Sequence, residues 1–287
     1  MQNKFDPSHP TIVTAFLTMI AIAIGTTFYL KPAAHSKASI PTLTEPTDQI
    51  ALPPATATSD TFYAPILMYH HISDTLPAGP YVIRTKVFEN QMAWLKENNY
   101  EVITYSQFYE ALTTKTLLPE KSVVISFDDN NKNQYQNALP ILKKYDYKAI
   151  FFIPTAYVDK REGVMTWEML KTLVGDDMEI GAHSSTHPNL TVIPKAQLYD
   201  EELIGSKKIL EEKLGISVKF FAYPGGAKSQ SVMKAVENTG YLSAATTIYD
   251  PNHSYTENPY RVPRIYVGNS MENFVDFING RNLHKSY

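Results

Sequence analysis

The stretch SVVISFDD, from Ser122 to Asp129, decides how the rest of the chain is read. Val123, Val124, Ile125 and Phe127 form a β-branched and aromatic run with the character of a buried strand. It ends in two adjacent carboxylates, Asp128 and Asp129, so a sheet delivers acid groups to one of its edges. Comparable apolar runs lie at Ile66–Ile72, Glu101–Thr104, Lys148–Ile153, Met178–Ala182, Val218–Ala222, Leu242–Thr246 and Ile265–Val267. Helical patterns separate them, among them Lys86–Asn98, Asn133–Tyr145, Thr166–Val174, Lys195–Leu214 and Ser229–Thr239. In the first of these Phe88, Met92 and Leu95 share one face. Strands alternating with helices predict a parallel sheet, and seven to eight such units predict a closed or nearly closed, distorted (β/α) barrel of the α/β class. Barrel active sites are built at the C-terminal ends of the strands, which is where the two aspartates fall.

The run His183-Ser184-Ser185-Thr186-His187 follows another strand and supplies two imidazoles four residues apart. Such a pair can meet on one face of a helix, but Gly181 before it and Pro188 after it favour a strand end passing into a loop. One carboxylate and two histidines form a ligand set for a divalent metal with open positions, which suits hydrolysis because the metal polarises a carbonyl and acidifies water. The remaining carboxylate is free for base chemistry, and Asp128 is placed for it. Taken singly, the acid pair reads equally as a solvated turn and the histidines as surface or capping residues; it is their joint placement at strand ends that points to a metal site.

Taken in order, Phe127-Asp128-Asp129, the His183–His187 run, Phe221-Ala222-Tyr223-Pro224 and Arg261-Val262-Pro263-Arg264-Ile265 resemble the motifs of the polysaccharide deacetylase family, the NodB-homology carbohydrate esterases. The resemblance extends over roughly Pro65 to Gly280. It implies that Asp128 is the catalytic base and that Asp129, His183 and His187 bind the metal, most often Zn2+. It implies an oxyanion donor in the backbone N–H of Gly225, although Pro224-Gly225-Gly226 replaces the usual Pro-Tyr-Gly and alone reads as a simple turn. Many relatives carry an arginine where this chain has Ala222, and Arg264 takes over the task of holding Asp128 ionised; the plain alternative is a surface arginine. The family's Leu-x-His acid has no match, since His284 lies in the polar tail. His70, at the end of the first strand, is the candidate acid, with a loop-bonding or metal-supporting role as the alternative. Asn130 stands where relatives have glycine and tolerates a left-handed turn better than other side chains.

Composition bounds the partners. A formal net charge of −3 offers no basic footprint for nucleic acid, and the absence of cysteine removes any need for a disulfide and is compatible with export. The 19 tyrosines and 13 phenylalanines suit sugar stacking, though most are more simply core residues. No repeat of 20 to 50 residues is present, so a solenoid is not indicated. Residues 1–30 contain the uncharged stretch Thr11 to Leu30, long enough for a membrane anchor, while Ser36-Lys37-Ala38 offers a cleavage site for a signal. Residues 31–62 read as a Pro/Thr-rich flexible linker, and residues 63–287 as the catalytic domain. Lys4 before the span and Lys31 and Lys37 after it give no charge support for an outward domain, so that orientation rests on the substrate. The expectation is a monomeric, metal-dependent deacetylase acting on N-acetyl groups of an amino-sugar polysaccharide, either anchored in the cell membrane with an extracytoplasmic catalytic domain or secreted. The alternatives are a glycan-binding pseudoenzyme on the same fold and an O-acetyl esterase of a polysaccharide.

Overall fold

A computed structural model describes residues 64–247 and 258–279; the expected anchor at 1–30, the linker at 31–62 and His284 lie outside the described residues. The strands are β1 (Ile66–Tyr69), β2 (His71–Ile72), β3 (Val82–Ile83), β4 (Glu101–Val102), β5 (Ser122–Phe127), β6 (Ile150–Ile153), β7 (Glu179–Ala182), β8 (Phe220–Ala222), β9 (Ser243–Ala245) and β10 (Ile265–Tyr266). The helices are α1 (Thr85–Glu97), α2 (Tyr105–Thr114), α3 (Leu139–Tyr145), α4 (Trp167–Gly175), α5 (Lys195–Gln197), α6 (Ser206–Leu214), α7 (Gln230–Asn238) and α8 (Met271–Ile278).

The main sheet is parallel throughout and runs β10-β1-β5-β6-β7-β8-β9, with β4 also paired to β5. It curls until its edges nearly meet. Val262 bridges Ala245 of β9, and three residues later Ile265 pairs with Leu67 of β1, so the segment leading into β10 closes the distorted barrel anticipated above.

Side-chain alternation with period two sorts the apolar residues onto the two faces. Ile66, Val124, Ile150, Phe152, Phe220, Ala222 and Ala245 fill the concave face, packed with Tyr105, Phe108 and Leu112 of α2. Leu67, Ile125, Phe127, Phe151, Ile153, Ile180 and Phe221 meet the surrounding helices on the other face. The inward set on β5 is therefore Ser122, Val124 and Ser126, and the next residue in that register is Asp128, buried at the barrel mouth. Strand ends are level there: Tyr69 pairs with Phe127, Ile153 with Ala182 and Ala222 with Ala245. The residues that follow β1, β5, β7 and β8 consequently share one rim.

Several boundaries differ from the expected ones. The run Ile66–Ile72 divides at His70, because β1 stops where its partner β5 stops and the chain turns away to pair β2 with β3, with the His71 N–H donating to Tyr81 O (3.0 Å). Both longer helices contain π-helical stretches, Gln134–Ala138 ahead of α3 and Leu198–Gly205 between α5 and α6. Such stretches occur mostly inside α-helices and frequently at functional sites. Helices α2 and α8 were not among the named patterns.

Gly181 lies on the concave face of β7, two residues before His183. A Cβ at this position would stand 2.5 Å from the ring of Phe152 and 3.1 Å from Phe220 O. Gly181→Ala should destabilise the fold by roughly 1–3 kcal/mol through overpacking, read from urea denaturation. An unchanged midpoint would show that the Phe152 ring has room to move.

Candidate active site

The site is assembled from the loops that leave β1, β5, β7 and β8. Directly after β5 the backbone enters the left-handed region at Asp129 (φ 74°) and Asn130 (φ 58°). Aspartate and asparagine occupy this region more readily than other non-glycine residues, which is why Asp129 and Asn130 can make this turn without a glycine. The turn is pinned by Asn130 Nδ2 donating to Met165 O (3.3 Å) and by the Met165 N–H donating to Asn130 O (2.9 Å). The side-chain amide of Gln134, in the first π stretch, donates to both His70 O and Asp128 O and so ties two rim residues together.

Asp128 is 1% exposed and Arg264 fully buried. Arg264 grips the carboxylate with both arms, Nη1 to Oδ1 and Nη2 to Oδ2, each 2.6 Å. The guanidinium also donates from Nε to Thr246 O (3.2 Å) and from Nη1 to Ser126 Oγ (3.3 Å), and lies over the Phe152 ring (5.2 Å). Burial alone would raise the Asp128 pKa, but the Arg264 charge and its hydrogen bonds outweigh it and hold the group below the usual carboxylate value. The surface-arginine alternative is thereby excluded.

The two histidines leave β7 on a loop, as the flanking glycine and proline suggested, with left-handed backbone at Ser184 (φ 63°) and His187 (φ 59°). His183 Nδ1 lies 2.7 Å from Ala222 O. A carbonyl only accepts, so Nδ1 carries a hydrogen, and in the neutral ring Nε2 is the nitrogen left with a lone pair. That Nε2 faces Asp129 Oδ1 at 3.5 Å and Asp128 Oδ2 at 3.9 Å, while His187 Nε2 lies 3.3 Å from Asp129 Oδ1. One ligand atom from each of Asp129, His183 and His187 lies within 4.8 Å of the others. A lone pair converging with carboxylate oxygens is the arrangement a cation relieves, so the donor set fits a divalent metal. The hydrogen bond that His187 donates to Asp129 raises the His187 pKa; burial opposes the depression of Asp129, which its two histidine partners nonetheless bring about.

His70 faces the same mouth. Burial lowers its pKa, against the pull of Asp128 and Asp129, and its buried Nδ1 has no hydrogen-bond partner among the described residues. Its ring packs on Tyr81 (4.7 Å between centroids). The neighbouring His71 turns to Asn133 instead, with Nδ1 3.0 Å from Nδ2. Gly225 sits in the turn after β8 with φ 59°, and that turn is closed by Gly226 N–H to Tyr223 O (2.8 Å) and Ala227 N–H to Pro224 O (3.2 Å). Neither closure uses the Gly225 N–H. Sequence reading missed Gln134 and the residues that hold the histidine loop, among them Thr155 and Ala156, whose N–H groups donate to Ser184 O (3.3 Å) and Ser185 O (3.0 Å).

A sequence profile of the polysaccharide deacetylase family matches residues 115–244. The chain is similar to the polysaccharide deacetylase homologue YxkH of Bacillus subtilis (strain 168), with 32% identity over 208 residues, covering 72% of each chain. It is 28% identical over 199 residues to the poly-beta-1,6-N-acetyl-D-glucosamine N-deacetylase of Staphylococcus aureus (strain MRSA252), covering 65% of this chain and 68% of that one. Among solved structures, the Streptococcus pyogenes deacetylase PplD in complex with acetate superposes with a TM-score of 0.70 at 26% identity, covering 75% of this chain and 97% of that chain.

Removing one member of a buried ion pair strands the other charge, so Arg264→Ala should cost roughly 3–5 kcal/mol in chemical denaturation. Arg264→Lys keeps the charge without the fork and should recover only part of that loss. Because the folded Asp128 pKa is depressed, the pair's contribution is present above the ordinary carboxylate range near ~3.9 and is lost as pH falls through the folded value. An Arg264→Ala protein as stable as wild type at neutral pH would contradict this account.

Proposed function

The chain belongs to the polysaccharide deacetylase family and is a deacetylase of polysaccharides, and we propose that it hydrolyses N-acetyl groups on the amino-sugar residues of its substrate. The observation that carries the reading is a buried carboxylate, Asp128, gripped by Arg264 and standing 3.9 Å from the histidine nitrogen that also faces Asp129. The Staphylococcus aureus relative acts on poly-beta-1,6-N-acetyl-D-glucosamine by name, which supports an N-acetylglucosamine polymer as substrate.

In this reading Asp129, His183 and His187 hold a divalent metal, most simply zinc. When bound, the metal supplies Lewis-acid polarisation of the acetamide carbonyl and acidifies water. Asp128 accepts the proton of the attacking water. Arg264 keeps it ionised and oriented through two of its lone pairs, leaving others free to take the proton. The Gly225 N–H, uncommitted in its own turn, donates to the oxyanion as the carbonyl becomes tetrahedral. Collapse breaks the C–N bond, releases acetate and leaves an amine that needs a proton. His70 provides it, and the burial that lowers its pKa makes its protonated form a ready donor.

We also place the enzyme outside the cytoplasmic membrane, tethered by residues 1–30 through the 31–62 linker to the catalytic residues 63–287. The support is the uncharged Thr11 to Leu30 stretch and the location such a substrate would have. Among the described residues, no helix is long and apolar enough to cross a membrane.

The decisive measurement is acetate release from poly-N-acetylglucosamine, chitin oligomers and peptidoglycan by the purified protein. Chelation should abolish it and zinc or cobalt restore it, and Asp128→Asn should lower turnover by about 10²–10⁴. Full turnover after metal stripping, or in Asp128→Asn, would sink the mechanism. For the tether, the full-length protein should sediment with membranes, while a chain beginning near Ser59 should be soluble and active. Recovery of the uncleaved full-length protein in the soluble fraction would remove the anchor.

A further inference from the structure

The loop between the two histidines is held by a residue to which no role has been assigned. Glu202 lies in the π stretch Leu198–Gly205 and is fully buried. Its Oε2 accepts from the Ser185 N–H (2.8 Å) and the Thr186 N–H (2.9 Å), and its Oε1 accepts from Thr186 Oγ1 (2.6 Å). No Lys, Arg or His forms an ion pair with it among the described residues. A carboxylate on the otherwise apolar face formed with Leu198, Leu203 and Leu210 is costly unless its oxygens are satisfied, and this loop satisfies them.

The two candidate histidine ligands differ in how they are held. The His183 side chain is 2% exposed and its ring is locked by Ala222 O. The His187 side chain is 37% exposed, and it springs from a left-handed backbone position immediately after Thr186. Its main-chain N–H donates to Ser184 Oγ (3.0 Å), but the path of the two residues before it is set by Glu202 on one side and on the other by Tyr157, whose hydroxyl donates to Thr186 O (2.9 Å). We infer that Glu202 is a positioning residue for His187: by clamping the Ser185–Thr186 main chain it presets the imidazole against Asp129 and thereby raises the affinity of the site for a divalent metal. This rests on the metal reading of Asp129, His183 and His187 given above.

The test is competition of the metal-stripped full-length protein against a chromophoric chelator for Zn2+ and Co2+, at a temperature where each variant is folded by circular dichroism. Glu202→Ala should bind about 10–100-fold more weakly than wild type, the usual range for partners one step behind a ligand. Glu202→Gln should recover most of the affinity, because its carbonyl can still accept both N–H groups while its amide donates to Thr186 Oγ1. A folded Glu202→Ala protein with wild-type affinity, even at a lower melting temperature, would leave Glu202 a purely structural residue and overturn the inference. If Glu202→Ala does not fold, Thr186→Val carries the test: it removes the hydroxyl contact alone and should weaken binding about fivefold, the equivalent of one modest hydrogen bond. Unchanged affinity in Thr186→Val would then overturn the inference. Failure of wild type to bind either metal would instead remove the metal reading itself, and this proposal with it.

Discussion

The buried pair of Asp128 and Arg264 is the constraint on which the rest of the structure depends. Asp128 directly follows β5 in its inward-facing register, and Arg264 lies on the segment that closes the curl between Ala245 and Leu67. One guanidinium therefore serves two ends. Its Nε bonds Thr246 at the β9 edge, while its two arms reach the end of β5. A charge of either sign alone in this interior would be strongly unfavourable, so each requires the other in register. Closing the barrel and fixing the candidate base are thus a single packing event.

Around that pair the backbone is shaped more by side-chain acceptors and donors than by regular structure. Left-handed conformations at Asp129, Asn130, Ser184 and His187 crowd into one rim. Such conformations persist only where the surroundings over-determine them. Here the amide of Gln134, the carbonyl of Met165, the turn at Thr155 and Ala156 and the carboxylate of Glu202 supply that restraint. The candidate metal ligands thereby sit on loops without inheriting the looseness of loops.

Much of this was legible in the sequence, for identifiable reasons. The strand Ser122–Phe127 appears at both of its expected ends because a short β-branched and aromatic run that stops at two carboxylates admits few other readings. Asp129, His183 and His187 converge as their placement at strand ends suggested, and Arg264 meets Asp128 as expected. The break at His70 was hidden because Ile72 continues the apolar pattern, whereas the strand's end is set by its neighbour β5. The π stretches were hidden because one extra residue per turn barely disturbs a short helical pattern. Helix α2 had a usable signal in Thr104 and Gln107, a capping box that the structure forms in full. Glu202 had one too: it occupies a core position of a helical stripe with Leu198, Ser206 and Leu210, and a carboxylate in such a place needs a partner from elsewhere in the fold. Its partners could not be named because they lie on a loop whose path only tertiary structure defines.

The separation of Asp128 from Arg264 along the chain is 136 residues. Contacts that bridge such distances cost loop-closure entropy before they return any stability, and parallel sheets form slowly for that reason. A chain emerging from synthesis carries Asp128 without its counterion until the closing segment has been made and is in place. The candidate base therefore gains its ionised, oriented state only when the C-terminal segment has joined the sheet, which ties the assembly of the site to the completion of the fold.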